Sequence, residues 1–218
     1  MRGAEKRFRD SKTGEDLLRY NRVARFYDLI ERPMELFMFK NWRRYLFEKM
    51  GSENFEGKLI LEIGIGTGKN IPYYKKGRFV AIDISEKMIR KAKKRAERLG
   101  LKIDLIIADA ESLPFKDGVF DKIFTTFVFC SVDNPVLGLK EAYRILKNEE
   151  KAYYLEHMLP ESKLLQPFFH FLNPVARLMG PEINRKTDLN IKKAGFKITE
   201  QEYLLGSVFR LIVAEKRD

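Results

Sequence analysis

The run Leu59-Ile60-Leu61-Glu62-Ile63-Gly64-Ile65-Gly66-Thr67-Gly68 is the part of this sequence most able to hold a ligand. An apolar stretch leads directly into glycines at every second position. Glycine lacks a Cβ and tolerates φ > 0, so a ligand can lie against bare backbone. A helical turn just beyond would offer unpaired N–H groups to it. The spacing is G-x-G-x-G, not the G-x-G-x-x-G of dinucleotide enzymes. Two carboxylates follow downstream. Asp83 closes the apolar run Val80-Ala81-Ile82, where a carboxylate can accept hydrogen bonds from both hydroxyls of a ribose. Asp109 closes Ile106-Ile107-Ala108 and is placed to accept from an adenine amino group. Either aspartate alone also reads as a helix cap or a turn residue. Three such sites in succession, each at the end of an apolar run, suit the strand ends where open α/β sheets bind ligands.

Fewer residues suggest acid–base or nucleophilic chemistry. The histidines are His157 and His170, and the one cysteine is Cys130. His157 follows an apolar run and reads as a base or as a strand-end residue bonded to backbone. His170 lies in an aromatic run and reads as structural. Cys130 reads as a small buried side chain. No Cys/His cluster has the spacing of a metal site, so no metal is expected.

These residues need a frame. Residues 1–14 are polar and charged and are expected to form a flexible basic arm. Residues 15–56 have helical periodicity and are expected to form an N-terminal helical cap. Leu17, Leu18, Val23, Phe26, Tyr27 and Ile30 mark a first helix, broken at Pro33. Leu36, Phe37, Trp42, Tyr45, Leu46 and Phe47 mark a second, stopped at Gly51. Strands are then expected at 58–63, 78–82, 101–108, 119–129 and 151–155. A helix begins at 70–75, another spans 85–99 between a Ser85 cap and Gly100, and a third spans 135–146. Alternating strands and helices predict a parallel sheet covered on both faces. Residues 159–183 are rich in Leu, Phe and Pro, with Pro167 and Pro174 as interruptions, and predict a helical lid or insertion. A helix at 184–194 and strands at 196–205 and 207–215, joined at Gly206, close the chain as an antiparallel hairpin. The expected organisation is one domain over 15–218, with its ligand-binding core at 57–158 and its closing elements at 184–218.

The segment from about 58 to 155 resembles the core of the class I S-adenosylmethionine-dependent methyltransferases. Leu61-Glu62-Ile63-Gly64-Ile65-Gly66-Thr67-Gly68 matches that family's first motif. Asp83 matches its ribose-binding acid and Ala108-Asp109-Ala110 its adenine-binding turn. Leu113-Pro114-Phe115, Phe120-Asp121 and Arg144-Ile145-Leu146-Lys147 match later landmarks. Asn148-Glu149-Glu150 departs from the family's Pro-Gly-Gly, which alters a turn away from the cofactor site. Tyr20-Asn21-Arg22-Val23-Ala24 and Tyr27-Asp28 resemble the ubiquinone/menaquinone C-methyltransferase group. Phe129-Cys130-Ser131-Val132 and Leu155-Glu156-His157 look more like thiol and phospholipid methyltransferase relatives. Asn184-Arg185-Lys186-Thr187 and Ala194-Gly195-Phe196 recur in the wider set.

The resemblance implies a Rossmann-like α/β fold: seven strands, mostly parallel, with an antiparallel C-terminal hairpin and helices on both faces. It implies S-adenosylmethionine as cofactor, S-adenosylhomocysteine as product, and in-line attack on the sulfonium methyl. Glu62, Gly64, Ile65, Gly66 and Gly68 would line the methionine end. Asp83 would hold the ribose, with Ile84 against the adenine and Met88 beside them. Asp109 and the Ala110 N–H would read the adenine edge. Thr126 and Phe127 would face the methionine group or the acceptor. Tyr20 and Tyr27 would close over the cofactor, or else pack as helix aromatics. His157 and Tyr27 are the candidate catalytic residues.

Composition narrows the partners. The chain has 218 residues, 44% of them hydrophobic, which suffices for a substantial core. A single cysteine excludes an intrachain disulfide and fits a reducing cytoplasm. No apolar run follows the basic start, and none approaches the roughly 18 residues of a spanning helix. A cytoplasmic protein is expected. The net charge of +11 suits solubility, contact with an anionic membrane surface, or nucleic acid. Leu164, Leu165, Phe168, Phe169, Phe171, Leu172, Val175, Leu178 and Met179, with Lys163 and Arg177 as basic flanks, could dock as a helix on the sheet rim, cover an apolar acceptor or touch lipid. The expected acceptor is a small apolar molecule: a lipid, a quinone precursor or a thiol. The alternative is RNA, suggested by charge alone.

Overall fold

The computed structural model describes residues 35–179 and 181–217. The expected arm, the first expected helix, and with them Tyr20 and Tyr27 lie outside the described residues.

A π-helical turn at Glu35–Phe39 leads into α1 (Lys40–Lys49). Gly51 ends it in the left-handed conformation, φ 71°. Next come β1 (Leu59–Ile63), β2 (Arg78–Asp83), α2 (Glu86–Arg98), β3 (Asp104–Ile107) and β4 (Phe120–Thr126). The remainder is α3 (Pro135–Ile145), β5 (Leu146–His157), α4 (Gln166–Met179), α5 (Thr187–Lys193), β6 (Lys197–Leu205) and β7 (Phe209–Glu215). The strands form one sheet in the order β3-β2-β1-β4-β5-β7-β6. The first five in the sequence run parallel, and β7 pairs antiparallel with both β5 and β6. This is the expected Rossmann-like sheet, and its order reverses beside β1. The ends of β1 and β4 therefore flank the crevice where such sheets take ligands.

Side-chain alternation sends two apolar sets to opposite faces. Leu61, Ile63, Ile123, Ala152 and Tyr154 pack on one face with Leu139, Ala142 and Ile191 from α3 and α5. Ile60, Phe124, Tyr153 and Leu155 pack on the other with Leu46 and Phe47 of α1 and Ile89, Ala92 and Ala96 of α2. Period-two alternation in the strands and a one-sided apolar stripe on each helix make both layers possible. Ser85 caps α2 by accepting from the Met88 N–H.

Several boundaries differ from the sequence reading. Residues 70–75 form only a 3-10 turn at Ile71–Tyr73, with a proline in its first positions. Strand β5 starts directly at the end of α3, five residues earlier than expected. The register moves from Phe120↔Leu146 to Lys122↔Lys151, so 147–150 is a bulge. Glu149 adopts φ 62° there. The Asn148-Glu149-Glu150 departure thus sits within a strand instead of in a free turn. Pro167 and Pro174 do not divide α4. Pro167 falls in the first turn, where its missing N–H is no loss, and Pro174 costs one internal bond. Helix α5 starts at Thr187, not at 184. Among the described residues no helix is long and apolar enough to cross a membrane. Leu164, Phe168, Phe171 and Val175 are all more than half exposed along one side of α4 and the residues before it.

Helix α1 is held to the sheet by Phe47, whose ring lies 5.2 Å from Phe124 and 5.5 Å from Tyr73. Phe47→Ala should cost about 3–5 kcal/mol in urea unfolding, the usual range for a buried phenylalanine. A cost under about 1 kcal/mol would show that α1 is not part of the cooperative core.

Candidate active site

The Gly-rich turn leaves β1 at Ile63 and doubles back over the neighbouring strand. The amides of Gly64 and Ile65 both donate to the Ile82 carbonyl of β2, each at 2.9 Å. Gly64 has φ 74°, and a Cβ there would lie 2.4 Å from Cγ2 of Val128, in the loop after β4. Gly66 has φ 55° and, among the described residues, nothing within 4 Å of the position a Cβ would take. Gly64 is therefore required by packing, whereas no described residue crowds Gly66.

Asp83 is tied to the same turn. Its Oδ2 accepts from the Gly66 N–H at 2.8 Å, and its Oδ1 from the Ser85 N–H at 2.9 Å. Burial raises its carboxyl pKa to about 6 against the lowering effect of these two amides. Asp109 accepts from the Glu111 N–H at 2.9 Å and bridges to Ser112 at the exit of β3. Ile84 and Ala110 are half-buried beside these aspartates in the chain, while Ile65 and Met88 are buried. Glu62, the glycines, Asp83 and Asp109 thus lie at the carboxyl ends of three adjacent parallel strands.

Below the turn lies a buried polar network that connects α1 to the sheet. Glu62 is fully buried and points to the α1 face. Its Oε1 accepts from Asn70 Nδ2 at 2.5 Å, and its Oε2 accepts from the Tyr74 hydroxyl. Arg43 donates from Nη1 to Asn70 Oδ1 and to Thr126 Oγ1, both at 2.9 Å. Its Nε donates to Glu35 at 3.2 Å, and its guanidinium lies 5.6 Å from the centre of the Phe127 ring. Burial lifts the Glu62 carboxyl to about 7, against the lowering effects of Tyr74, Asn70 and the Arg43 charge.

An aromatic cluster stands at the ends of β4 and β5. Phe127 lies 4.6 Å from Phe39, and Phe209 lies 5.0 Å from both Trp42 and His157. Phe169 of α4 stacks near His157 at 6.3 Å. Burial pushes the His157 imidazole down to about 4, so it is neutral at pH 7, and its Nδ1 has no hydrogen-bond partner among the described residues. His170 is exposed and meets Asn184 at 3.1 Å. Burial pushes the Cys130 thiol up to about 12, which leaves it protonated and unreactive.

Arg43, Asn70 and Tyr74 belong to no motif that the sequence shows. Arg43 reads there as one more cation on a charged helix, and only tertiary packing turns it inward. Asn70 carried a weak signal, two residues beyond the last glycine of the motif.

Such a sheet, with a glycine turn after its first strand and acids at the next two strand ends, defines a Rossmann-like methyltransferase. Residues 61–153 match the family model of the methyltransferase domain. A ubiquinone/menaquinone biosynthesis C-methyltransferase of Citrifermentans bemidjiense is 31% identical over 161 residues, covering 70% of this chain and 67% of that one. Its counterpart in Geotalea uraniireducens is 29% identical over 172 residues, covering 75% and 72%. A SAM-dependent methyltransferase from Aquifex aeolicus shares the fold at a TM-score of 0.63 and 22% identity, covering 80% of this chain and 89% of that one. The chain belongs to the class I S-adenosylmethionine-dependent methyltransferases, within their ubiquinone/menaquinone methyltransferase-like set.

Gly64→Ala should lose about 1–2 kcal/mol to left-handed backbone and a further 1–3 kcal/mol to the clash with Val128. Adding Val128→Ala removes the clash alone. Urea melts should therefore show the pair less destabilised than the sum of the singles; additive effects would refute the contact. Glu62 provides a second test. A carboxyl at about 7 in the fold lies above its value of about 4 in an unfolded chain. Its contribution is present below that unfolded value and is lost as pH rises through 7. The melting temperature of Glu62→Gln should thus fall less between pH 5 and pH 8 than that of the parent; parallel curves would contradict the raised pKa.

Proposed function

We propose that this enzyme transfers the methyl of S-adenosylmethionine to a carbon of a small, planar, apolar acceptor of the quinone-precursor class. The observation that carries this reading is the juxtaposition of two features at one sheet edge. One is the glycine turn with its two aspartates, and the other is the aromatic cluster of Phe39, Trp42, Phe127, Phe169 and Phe209 with His157. The relatives' description as C-methyltransferases of quinone biosynthesis supports the choice of acceptor.

The residues present fit the cofactor. The space that the described residues leave at Gly66 admits a ligand against the backbone, and Asp83 keeps acceptor capacity beyond its two amide bonds. When bound, the cofactor supplies an electrophilic methyl on a sulfonium. Asp83 holds the ribose hydroxyls and Asp109, with the Ala110 N–H, reads the adenine edge. Ile84 and Met88 pack beside the adenine, and Ile65 supports the turn. Arg43, in contact with Thr126 and under the field of Glu62, holds the carboxylate of the methionine group. Thr126 and Phe127 separate that group from the acceptor. The aromatic side chains exclude water from the transfer path and orient the acceptor ring, so catalysis is mainly positioning. The acceptor carbon gains a methyl and sheds one proton. That proton passes to His157, the imidazole of the aromatic cluster, although burial makes it a weak base.

Titration calorimetry should show S-adenosylmethionine binding, weakened at least about tenfold in Asp83→Ala, as expected for loss of a charge-assisted hydrogen bond. Transfer of labelled methyl should then favour a short-chain hydroquinone over a thiol, a phospholipid or RNA. No cofactor binding would sink the assignment of the site. Transfer to another member of the panel would move the acceptor class.

A further inference from the structure

Glu156 has no part in the reading above, yet it is one of the most enclosed acids among the described residues. It lies in β5 with no exposed surface, on the sheet face opposite Glu62. Its Oε1 accepts from Thr125 Oγ1 at 2.8 Å, from the Val128 N–H at 3.1 Å and from the Phe129 N–H at 3.3 Å. The Cys130 N–H faces the same carboxylate. These donors all come from the end of β4 and the turn that follows it. Successive amides converging on one point make a nest suited to an anion. Here the chain's own carboxylate fills it.

The turn so held is unusual. Phe127 has φ 59°, the left-handed region that costs a bulky L-residue about 1–2 kcal/mol. Its N–H donates to the Leu155 carbonyl at 2.8 Å, one residue before Glu156. Two consecutive residues of β5 therefore fix the turn, one by its backbone and the next by its side chain. Three parts of the site depend on where the turn lies. Val128 sets the wall against which Gly64 packs. Thr126 receives Arg43 and Asn70. Phe127 joins the aromatic cluster through Phe39.

We propose that Glu156 is a positioning residue for methyl transfer: by gathering the amides after β4, it sets Thr126, Phe127 and Val128 against the cofactor turn. The cofactor part of this rests on the proposed function; the placement of the turn does not. A carbonyl oxygen in the same place can accept the same donors, so charge is dispensable but an acceptor oxygen is not. Shortening the side chain by one methylene, in Glu156→Asp, drags the turn toward β5.

Two readouts test it. The first is the dissociation constant for S-adenosylmethionine by calorimetry. Glu156→Gln should stay within about threefold of the parent, while Glu156→Leu should weaken binding at least about tenfold. Glu156→Asp should fall between them, and it provides the test if the Leu variant does not fold. Ile145→Ala, a buried change at the opposite end of β4, supplies a control with lowered melting temperature and unmoved affinity. The second readout is the emission of Trp42, the single tryptophan, which touches Phe39 and through it Phe127. Without cofactor, it should shift in the Leu and Asp variants and not in Gln. Folded Leu and Asp variants with parental affinity and emission would overturn the proposal. So would losses no greater than those of Ile145→Ala. If the parent binds no cofactor, the proposed function fails, and Trp42 emission alone decides the place of Glu156.

Discussion

The site depends on the parallel register that sets β1 between β2 and β4. Glu62 stands opposite Ala81 on one side and Phe124 on the other, so three strand ends finish at one level. Parallel strands need crossover connections, and the crossovers here return every chain segment to the same edge. The carboxyl ends of β1, β2 and β3 therefore accumulate turns with unpaired backbone groups and acids. A Gly-rich turn can bend over that edge only because its first two amides are taken by the Ile82 carbonyl.

Two buried carboxylates stabilise the edge from opposite faces. Glu62 gathers Asn70 and Tyr74, and through Asn70 it reaches Arg43 and so α1. Glu156 gathers the turn after β4 and, at its far end, the wall of Gly64. Burial raises both carboxyls to about 7, so each sits where ionisation is costly and the surrounding donors offset that cost. Glu156 Oε2 has no partner among the described residues, and removing the donors would leave further unpaired polar atoms in the core, which the fold tolerates poorly. Such networks fix geometry more than they add stability, and geometry is what an in-line transfer demands.

The aromatic cluster is assembled from distant parts of the chain. Phe39 and Trp42 come from the start of α1 and the turn before it, Phe127 from the turn after β4, and Phe209 from the first residue of β7. His157 joins them because alternation along β5 turns it to the α1 face, away from Glu156. One strand thus presents an imidazole to one side of the sheet and a carboxylate to the other. Adjacent residues thereby join separate clusters on the two faces.

The sequence by itself determined the strand–helix alternation, the closing hairpin, the glycine turn and the two strand-end aspartates. Each of these is a local pattern: apolar periodicity, a residue type with special backbone freedom, or an acid after an apolar run. It could not reveal that Arg43 turns inward, since a cation on a Lys/Arg-rich helix looks the same whether it meets water or Thr126. Nor did it show that Pro174 would be carried inside a helix, or that 147–150 would be a strand bulge. Those outcomes depend on what the neighbouring layers offer in place of a lost bond. Only the tertiary structure decided how Glu156 is used, because its donors lie 27–31 residues earlier in the chain. A buried acid is recognised by the partners that gather around it, and pairing between distant strands brings those partners together.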